Sequence, residues 1–593
     1  MFNSIQENIQ SFFKQTNDVS QNQFIYDSFK LPITYTNYHE LNDIVCNDLE
    51  LDCFDSSNNT MHHYLLSPSN EFSQNMIKQS YKYYTTDTIY LKDTQQVIKN
   101  MIHFQNNLNN DSIQCTHFNN IWNETKNNKH FIDKYSYIDW NIFKHLNQSS
   151  FFLQILSMIN MTSPILSLII PIFFLIFPFL ILKLQKIPIN FSTYIKLLST
   201  IAKNHFIGKI LNIKSLDVKN LIYLIFTIGF YFLQIYQNIN FCIKFYNNIN
   251  NINNYISNLN SYLKNTIHSM ESFVNINNNI SSYSSFNQDI LQNKTTLQNL
   301  YSYTNSIQPF KASISKVGEI GNLLKVLYII HSNKEFEFSL KYSVGFNGYL
   351  NHLLGIYNNI QNNHIHFTQF SKHRTSIQNQ YYPPYIQNKH TKNSIVIHNN
   401  IVTGPNASGK TTFLKTTALN IIFSQQYGVG FFDSFYLNPY SFIHSYLNIP
   451  DTSGRDSLFQ AESRRCKNII NTIKSNKNLR HFTIFDELFS GTNPQEASKT
   501  AYAFLDYLSQ YKNNDYILTT HYTSICKRLQ KNKKANNYKM IVDFDSNNKV
   551  IYTYKISKGI SNVQGAIIVL EEMDYPPEII QTIKNFDSKL KIT

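Results

Sequence analysis

TGPNASGKTT, residues 403–412, is the stretch that decides the fold of the C-terminal part of this chain. It fits the pattern of a phosphate-binding loop, G-x-x-x-x-G-K-[ST], at every position. The apolar residues between Ile395 and Val402 predict a buried strand before it, and Phe413 to Leu419 predict a helix after it. In this order the loop amides and the helix N-terminus face an anion, a context that a chance Gly-Lys loop would lack.

Each part of this loop has a predicted role in binding a nucleoside triphosphate. Gly404 and Gly409 permit backbone angles and a close approach that a Cβ atom would block. Lys410 would reach the β- and γ-phosphates, and Thr411 would ligate Mg²⁺. The predicted ATP-binding residues of the loop are Gly404, Pro405, Asn406, Ala407, Ser408, Gly409, Lys410, Thr411 and Thr412.

Polar residues follow two further apolar runs, and both runs predict strands. His481 to Phe485 ends in Asp486-Glu487, and Tyr516 to Thr519 leads into Thr520-His521. Beside a phosphate loop, Asp486 would help to hold Mg²⁺, and Glu487 would orient or deprotonate the attacking water. His521 would sense the γ-phosphate. Taken singly, the acidic pair also fits a solvated strand end, and the histidine fits a loop residue with satisfied hydrogen bonds.

Together these motifs resemble the MutS family of DNA mismatch-repair ATPases. The strongest similarities are in Gly404-Pro405-Asn406, Asp486-Glu487-Leu488-Phe489-Ser490-Gly491-Thr492-Asn493-Pro494 and Thr519-Thr520-His521-Tyr522. The run from Ser457 to Glu462 is similar to the family's Ser-Thr-Phe signature, and Gln426 with Gly428 is similar to its glutamine loop. Residues 554–565 resemble the end of its ATPase domain. The resemblance covers residues 390–585.

The resemblance implies an ABC-type α/β ATPase domain that uses ATP and Mg²⁺ and dimerises. Gln426 would contact the nucleotide. Ser457 would face the nucleotide of the other subunit, so that a homodimer carries two composite sites. The resemblance also implies binding of mismatched or structured DNA in repair or recombination. Where most members carry Met and a small residue, this chain has Ala407-Ser408, and we expect that departure to leave phosphate binding unchanged.

The N-terminal half departs further from the family. Mismatch-reading members insert a Phe-x-Glu into DNA from an N-terminal domain. The Phe-x-Glu of this chain is Phe485-Asp486-Glu487, which belongs to the predicted ATPase site, so we expect no mismatch-reading domain. Residues 40–100 instead resemble the beginning of the family's helical core. A generic helical domain is the alternative interpretation.

Composition limits the class of protein and its partners. The length of 593 residues exceeds one hydrophobic core and predicts several domains. The net charge of +14 favours a polyanionic partner, nucleic acid or an anionic lipid surface, although an AT-rich genome would also enrich lysine. The six cysteines include no C-x-x-C pair, which suits a reducing compartment and predicts no structural zinc. No secretory signal is evident at the N-terminus, so we expect an intracellular protein.

Two apolar runs, residues 165–182 and 221–236, predict membrane helices. As a helix the first would span ~27 Å, close to the thickness of a hydrocarbon core. Pro164, Pro171 and Pro178 are compatible with a membrane helix if neighbouring groups satisfy the freed carbonyls. The alternative is a buried helical hairpin in a large soluble core.

The segment between the apolar runs is basic. Against one acid, Asp217, it holds Lys183, Lys186, Lys196, Lys203, Lys209, Lys214 and Lys219. A re-entrant or interfacial hairpin would place these lysines at anionic headgroups, whereas two full crossings would violate the positive-inside rule. In a soluble protein the same lysines would bind DNA phosphates.

The sequence therefore predicts a multidomain chain with a mostly α-helical lever region, an apolar helical hairpin and an α/β ABC-type P-loop ATPase domain. The predicted domains are a helical core-like region at 1–150, the apolar hairpin at 151–240, a returning lever at 241–385 and the ATPase with C-terminal helices at 386–593. The Asn-rich tract at 247–279 keeps apolar residues at helical spacing, which favours a helix over a loose linker. Two functions stay open: a DNA-coupled repair or recombination ATPase, and a membrane-anchored mechanochemical ATPase or scaffold without mismatch recognition.

Overall fold

The motif-bearing strands of the C-terminal part belong to one sheet in the computed structural model. The structure describes residues 27–51, 60–104, 111–185, 190–201, 218–309, 317–372, 375–386, 390–447, 449, 457–544, 550–563, 567, 570–571, 573 and 575–589. In chain order its strands are β1 (Tyr38–Glu40), β2 (Tyr83–Thr85), β3 (His366–Phe370), β4 (Thr375–Gln380), β5 (Asn393–Ile397), β6 (Asn400–Thr403), β7 (Val429–Gly430), β8 (Ser434–Leu437), β9 (Phe442–Tyr446), β10 (His481–Asp486), β11 (Asn514–Thr519), β12 (Asn536–Phe544) and β13 (Val550–Lys558).

The helices are named in the same order. They are α1 (Asp43–Asp48), α2 (Met61–Leu66), α3 (Glu71–Ser80), α4 (Thr88–Lys99), α5 (Asp111–Trp122), α6 (Phe131–Lys134), α7 (Ser150–Leu184), α8 (Phe191–Ile201), α9 (Val218–Ile276), α10 (Ser284–Asn305), α11 (Ile320–Ser332), α12 (Lys334–Gln361), α13 (Lys410–Tyr427), α14 (Leu458–Ser475), α15 (Pro494–Leu508), α16 (Thr523–Lys531) and α17 (Pro577–Lys589). Short 3₁₀ turns lie at Pro32–Tyr35, Lys144–Gln148, Ser281–Tyr283 and Pro383–Tyr385, and one π-helical turn lies at Asn123–Asn127.

The central sheet has six strands in the order β13-β12-β6-β11-β10-β9. All neighbours are parallel except β12 and β13. Because parallel strands end at the same edge, the register that pairs Asp486 with Thr519 brings the residues after β6, β10 and β11 together. The strands predicted at His481 to Phe485 and Tyr516 to Thr519 are confirmed as β10 and β11.

A second sheet of five strands has the order β5-β4-β8-β3-β7. The sequence predicts one strand from Ile395 to Val402, and this prediction is wrong because these residues belong to two strands in different sheets. The run bends at His398–Asn399 and divides into β5 of the second sheet and β6 of the central sheet. Strand β6 is buried throughout, whereas β5 buries Ile395 and Ile397 and exposes Val396, and the apolar letters alone do not show this difference.

The helix after the phosphate loop, α13, lies in the interior of its unit. Gly409 and Gly428, which flank it, both have positive φ, at 90° and 72°. Apolar side chains on opposite faces of the helix, such as Leu414 and Phe423, are fully buried. A helix buried on all sides stabilises the position of its first turn, which carries Lys410 and Thr411.

The chain divides into two compact units, and each is made of several segments. The first contains residues 1–112, 269–293 and 341–593, which include all the strands. Its N-terminal residues pack directly on the sheet, because Ser445 of β9 donates a hydrogen bond to Asp48 at 2.6 Å and Lys415 of α13 forms an ion pair with Glu50 at 2.7 Å. The domain boundaries predicted at 150, 240 and 385 stay predictions.

The second unit contains residues 113–268 and 294–340 and is helical. Its longest helices include α7, capped by Ser149, and the part of α9 before Ser269. The helix predicted for the Asn-rich tract is confirmed, since α9 continues to Ile276. Within the part of the chain that the structure describes, one helical stretch, Ser150–Ile169, is long and apolar enough to cross a membrane, by length and composition alone.

Several predicted features lie outside the described residues. They are the linker residues Lys186, Lys203, Lys209, Lys214 and Asp217, residue Gly565, and part of the predicted helix at 567–573. Within the predicted span 165–182, the side chains of 170–172, 174–175 and 178 are likewise outside the description.

Candidate nucleotide-binding site

The phosphate loop joins β6 to α13, as the sequence predicts. Ala407 and Gly409 adopt positive φ, at 62° and 90°. A Cβ atom on Gly404 would lie 2.8 Å from Ser408 Oγ and 2.9 Å from Met540 Cβ, so this position requires glycine. Ser408 Oγ donates to the Pro405 carbonyl at 2.7 Å, which closes the loop on itself.

Lys410 lies at the centre of the loop. Its Nζ atom donates to the carbonyls of Gly404 at 3.0 Å and Pro405 at 3.1 Å and lies 3.2 Å from His521 Nε2. Burial lowers the pKa of Lys410, while Glu487 and Asp486 act in the opposite direction. A buried ammonium whose hydrogen bonds go to neutral carbonyls can exchange them for stronger hydrogen bonds to a phosphate anion.

Thr411 and Asp486 bring a hydroxyl and a carboxylate together. Thr411 Oγ1 donates to Asp486 Oδ2 at 2.8 Å, and Thr519 of β11 donates to the other carboxylate oxygen. Oxygen donors of this kind are those that Mg²⁺ prefers in nucleotide sites. The residues predicted to hold Mg²⁺ therefore lie next to each other and fit that ion.

Glu487 and His521 form a second polar contact at the same edge of the sheet. Glu487 Oε1 lies 2.9 Å from His521 Nε2, and the hydrogen bond from this imidazole lowers the pKa of Glu487. Because Nε2 carries one hydrogen at most, it donates to the ionised Glu487 and cannot also accept one from Lys410. His521 and Lys410 are therefore close without a hydrogen bond between them. An anion that attracts the Lys410 ammonium would change this distance.

The loop after β10 is held in an uncommon conformation. Glu487 and Phe489 both have positive φ, at 49° and 59°, which is unfavourable for side chains of this size. Glu462 of α14, which is 2% exposed, accepts from Ser490 Oγ at 3.0 Å and from Gly491 N at 3.2 Å. Tyr446 Oη accepts from Phe489 N at 3.1 Å. These contacts fix the loop and hence the Glu487 backbone.

Neither Glu462 nor Tyr446 is predicted from the sequence to have a role at this site. One feature of the sequence points to Glu462: it is the acidic residue that ends the signature run, five residues after Ser457. A buried carboxylate on a helix otherwise exposed at its start requires hydrogen-bond donors, and the Ser490-Gly491 turn supplies them.

A cavity of about 600 Å³ opens beside the loop. The phosphate loop and Glu487 line one part of it, and aromatic residues line another: Tyr381, Tyr382, Tyr385, His390 and Tyr554. A Cβ atom on Gly409 would lie 3.0 Å from Tyr554 Cδ1, so the Tyr554 ring rests against the loop. Sequence reasoning did not find these residues, although the tyrosines at 381, 382 and 385 stand out as a cluster just before β5.

Tyr554 is directed to the cavity by its backbone. Its φ of 56° interrupts the regular strand β13. Asn393 satisfies the backbone on both sides of the irregularity, because its amide nitrogen donates to the Tyr554 carbonyl at 2.9 Å and its amide oxygen accepts from Ile556 N at 2.9 Å. Asn393 itself lines the cavity.

Gln426 does not line this cavity, and neither does Ser457, which is predicted to face the nucleotide of the other subunit. Gln426 lies near the far end of α13, where its side chain is buried and bonds to His62 Nε2 at 2.8 Å and to the Tyr81 carbonyl at 2.8 Å. With both ends of its amide occupied inside the protein, Gln426 acts as a packing residue. Ser457 is the exposed N-cap of α14, where it accepts from Gln460 N at 3.3 Å.

Comparison with known proteins agrees with this arrangement. Residues 400–591 match the family model described as MutS domain V. The chain is 28% identical over 204 residues to a DNA mismatch repair protein MutS of Prochlorococcus marinus, covering 33% of this chain and 22% of that protein. It is 30% identical over 198 residues to human MutS protein homolog 4, covering 32% of this chain and 20% of the relative.

A similar match is found with an Endonuclease MutS2 of Fusobacterium nucleatum, at 27% identity over 198 residues, or 32% of this chain and 24% of that protein. The chain therefore spans between a fifth and a quarter of the length of these relatives. The match to the family model begins at β6 and includes the phosphate loop, the acidic pair and His521.

Proposed function

We propose that this member of the MutS family, recognised by the domain V in its C-terminal third, binds and hydrolyses ATP. The observation that carries the proposal is the meeting of five side chains at one edge of a parallel sheet. Lys410 and Thr411 come from the phosphate loop, Asp486 and Glu487 from the end of β10, and His521 from the turn after β11.

The residues divide the chemistry of hydrolysis between them. The loop amides and Lys410 bind the phosphates, since the ammonium lies buried among carbonyls that it can leave for an anion. Thr411 and Asp486 hold Mg²⁺, which supplies neutralisation of phosphate charge when bound. Glu487, kept ionised by His521, accepts a proton from the attacking water or orients it.

The aromatic wall of the cavity is the proposed site of the base. Tyr554 rests on the loop at Gly409, and Tyr385 lines the same cavity. Aromatic rings bind a nucleobase by stacking, which is worth about 1–3 kcal/mol for each base. A base that stacks on this aromatic wall would leave its phosphates at the loop.

DNA is the proposed activator of the ATPase. Two relatives carry mismatch repair or endonuclease activity in their names, and the net charge of +14 suits a polyanion. The exposed position of Ser457 at a helix N-terminus suits a group that completes the site of a second subunit, so we propose a homodimer with two composite sites. Mismatched or branched DNA is the proposed ligand.

A second candidate function uses the same ATPase on a membrane, without mismatch recognition. The observation that favours it is the helical stretch Ser150–Ile169, of which 11% is buried. Both candidates require ATP hydrolysis, and they differ in the activator.

The test is the ATPase rate of the purified full chain with homoduplex, mismatched and branched DNA, and with liposomes. Stimulation by DNA supports the repair function, and the most effective DNA identifies its ligand. A rate that responds to liposomes and not to DNA supports the membrane function. The absence of ATP binding under all conditions would overturn the proposal.

A further inference from the structure

The helices α7 and α9 form an apolar pair whose outer surface has no protein cover among the described residues. The pair consists of residues 150–184 and 218–243. Tyr231 of α9 contacts Ser167 of α7, and Cys242 contacts Met161, so the two helices run antiparallel. We propose that this apolar pair inserts into a lipid bilayer that carries anionic headgroups.

The breadth of the exposed apolar surface indicates lipid. On α7 the exposed apolar side chains run from Leu168 round to Ile181, which at 3.6 residues per turn covers about 220° of the helix. On α9 they run from Ile228 round to Phe241 and cover a similar arc of about 220°. A helix that docks on a protein needs an apolar stripe of about 100°. Lipid is a partner that covers both helices over such an arc.

Hydrogen bonds inside the pair satisfy two carbonyls that prolines leave free. Proline at 171 has no amide hydrogen for the Ser167 carbonyl, and Tyr231 Oη donates to that carbonyl at 3.2 Å. Proline at 164 likewise frees the Asn160 carbonyl, and Ser163 Oγ donates to it at 3.0 Å. In hydrocarbon a freed carbonyl is strongly unfavourable unless a protein group satisfies it. Helix-breaking residues whose carbonyls are satisfied in this way suit a helix surrounded by lipid.

Two further hydroxyl groups of α7 also donate within their own helix. Thr162 Oγ1 donates to the Met158 carbonyl at 2.7 Å, and Ser167 Oγ donates to the Pro164 carbonyl at 2.7 Å. Both side chains therefore satisfy their donors on their own helix.

The positive charge near the pair favours lipids with anionic headgroups. Between Asp139 and Glu271 the sequence contains ten lysines and a single acidic residue, Asp217. Lys183 and Lys196 are exposed near one end of the pair, and Lys244 is exposed near the other. Lysines beside an anionic membrane surface are attracted to its headgroups. The exposed Trp140 suits the interface between headgroups and hydrocarbon.

This inference deepens the second candidate function, and its readouts involve no nucleotide. Failure of lipid insertion would therefore leave the ATPase proposal untouched, and failure of ATP binding would leave the insertion intact. The experiment uses the full chain in detergent, mixed with preformed vesicles of phosphatidylcholine alone or with phosphatidylglycerol, and measures flotation after the detergent is removed.

The matched variants exchange exposed apolar residues for aspartate. Phe226→Asp with Phe230→Asp changes residues that are 63% and 68% exposed, so folding is preserved while insertion becomes costly. Phe544→Asp with Ile551→Asp makes the same change of charge on the exposed β12–β13 hairpin. We expect the parent and the hairpin control to float, and the helix variant to partition on the order of 100-fold more weakly.

A tryptophan reporter identifies what covers the pair. In a chain with Trp140→Phe, the substitution Phe173→Trp places the probe on the exposed arc of α7. Quenching by lipids brominated in their acyl chains is expected, with stronger flotation on anionic vesicles that declines with salt. A chain that stays soluble without detergent and leaves the probe open to aqueous acrylamide overturns the proposal. Shielding without bromine quenching would also overturn it, because a second copy of the chain would then cover the pair.

Discussion

Glu487 Oε1 and His521 Nε2 lie 2.9 Å apart, and this contact joins the end of β10 to the turn after β11. It has a chemical consequence as well as a structural one. The hydrogen bond from His521 lowers the pKa of Glu487, burial acts against it, and the nearby charge of Lys410 acts with it. The proposed base is thereby ionised at a lower pH than an isolated glutamate.

His521→Ala is expected to shift the pH dependence of hydrolysis. Removal of the imidazole raises the pKa of Glu487 toward its ordinary value, so the base form is lost at a higher pH as the solution is acidified. The acidic limb of the single-turnover rate should move to higher pH. His398→Gln, which removes an exposed histidine paired with Asp515, is the control and should leave the limb in place. Coincident limbs for His521→Ala and the parent would contradict the assignment.

Lys410→Ala is expected to weaken nucleotide binding. The substitution removes a charge-assisted hydrogen bond to phosphate worth about 1.5–3 kcal/mol, so the Kd for ATP should rise about 10- to 100-fold. Lys415→Ala is the control, because it makes the same change of charge on the same helix. Lys415 forms an ion pair with Glu50 at 2.7 Å and has no predicted role in phosphate binding. Its Kd should stay within about twofold of the parent. If both variants lost the same affinity for ATP, the effect of Lys410→Ala would come from the change in net charge or in helix stability and not from a contact with phosphate.

Tyr554→Ala is expected to reduce affinity for the base and not for phosphate alone. Loss of one stacking ring should weaken ATP binding by about 1–3 kcal/mol, which raises the Kd about 5- to 150-fold, while the Kd for inorganic triphosphate should remain unchanged. Tyr436→Ala removes a tyrosine that is 42% exposed and lies outside the cavity, so it serves as the control. A parallel loss of triphosphate binding would mean that Tyr554 supports the loop and does not contact the base.

Glu462→Gln is expected to lower kcat more than it raises KM. The carboxylate holds Ser490 Oγ and Gly491 N, and its replacement puts an amide donor against one of these two donors. The loop that carries Glu487 then relaxes from its positive-φ conformation, so the chemical step is slowed while ATP still binds. Ser490→Ala removes only one hydrogen bond and should give a smaller effect. Unaltered kcat in Glu462→Gln would rule out this positioning role.

The local features of the site are predictable from sequence because each depends on neighbours in the chain. The glycine spacing of the loop places Lys410 and Thr411 on the first turn of α13, and the apolar runs place Asp486 and Thr519 at strand ends. Parallel pairing then brings them together. The family resemblance adds His521, which its strand alone would not distinguish from a loop histidine.

The features that sequence reasoning missed depend on distant contacts. Tyr554 reaches Gly409 only because β13 folds back beside β12, and Glu462 meets Gly491 only because α14 packs on the loop after β10. Gln426 is a different case. The family resemblance implies that it contacts the nucleotide, but in the structure its amide is hydrogen-bonded to His62 and to the Tyr81 carbonyl. The division of residues 395–402 between two sheets is decided by tertiary pairing as well.

The measurement that tests the central claim most directly compares single-turnover hydrolysis of ATP by the parent chain and Glu487→Gln, with the Kd for ATP measured on both. The account predicts that the variant binds ATP with similar affinity and hydrolyses it about 10²- to 10⁴-fold more slowly, because a base is lost while the phosphate loop is intact. Hydrolysis at the parent rate by the purified variant would contradict it and would place the catalytic base elsewhere.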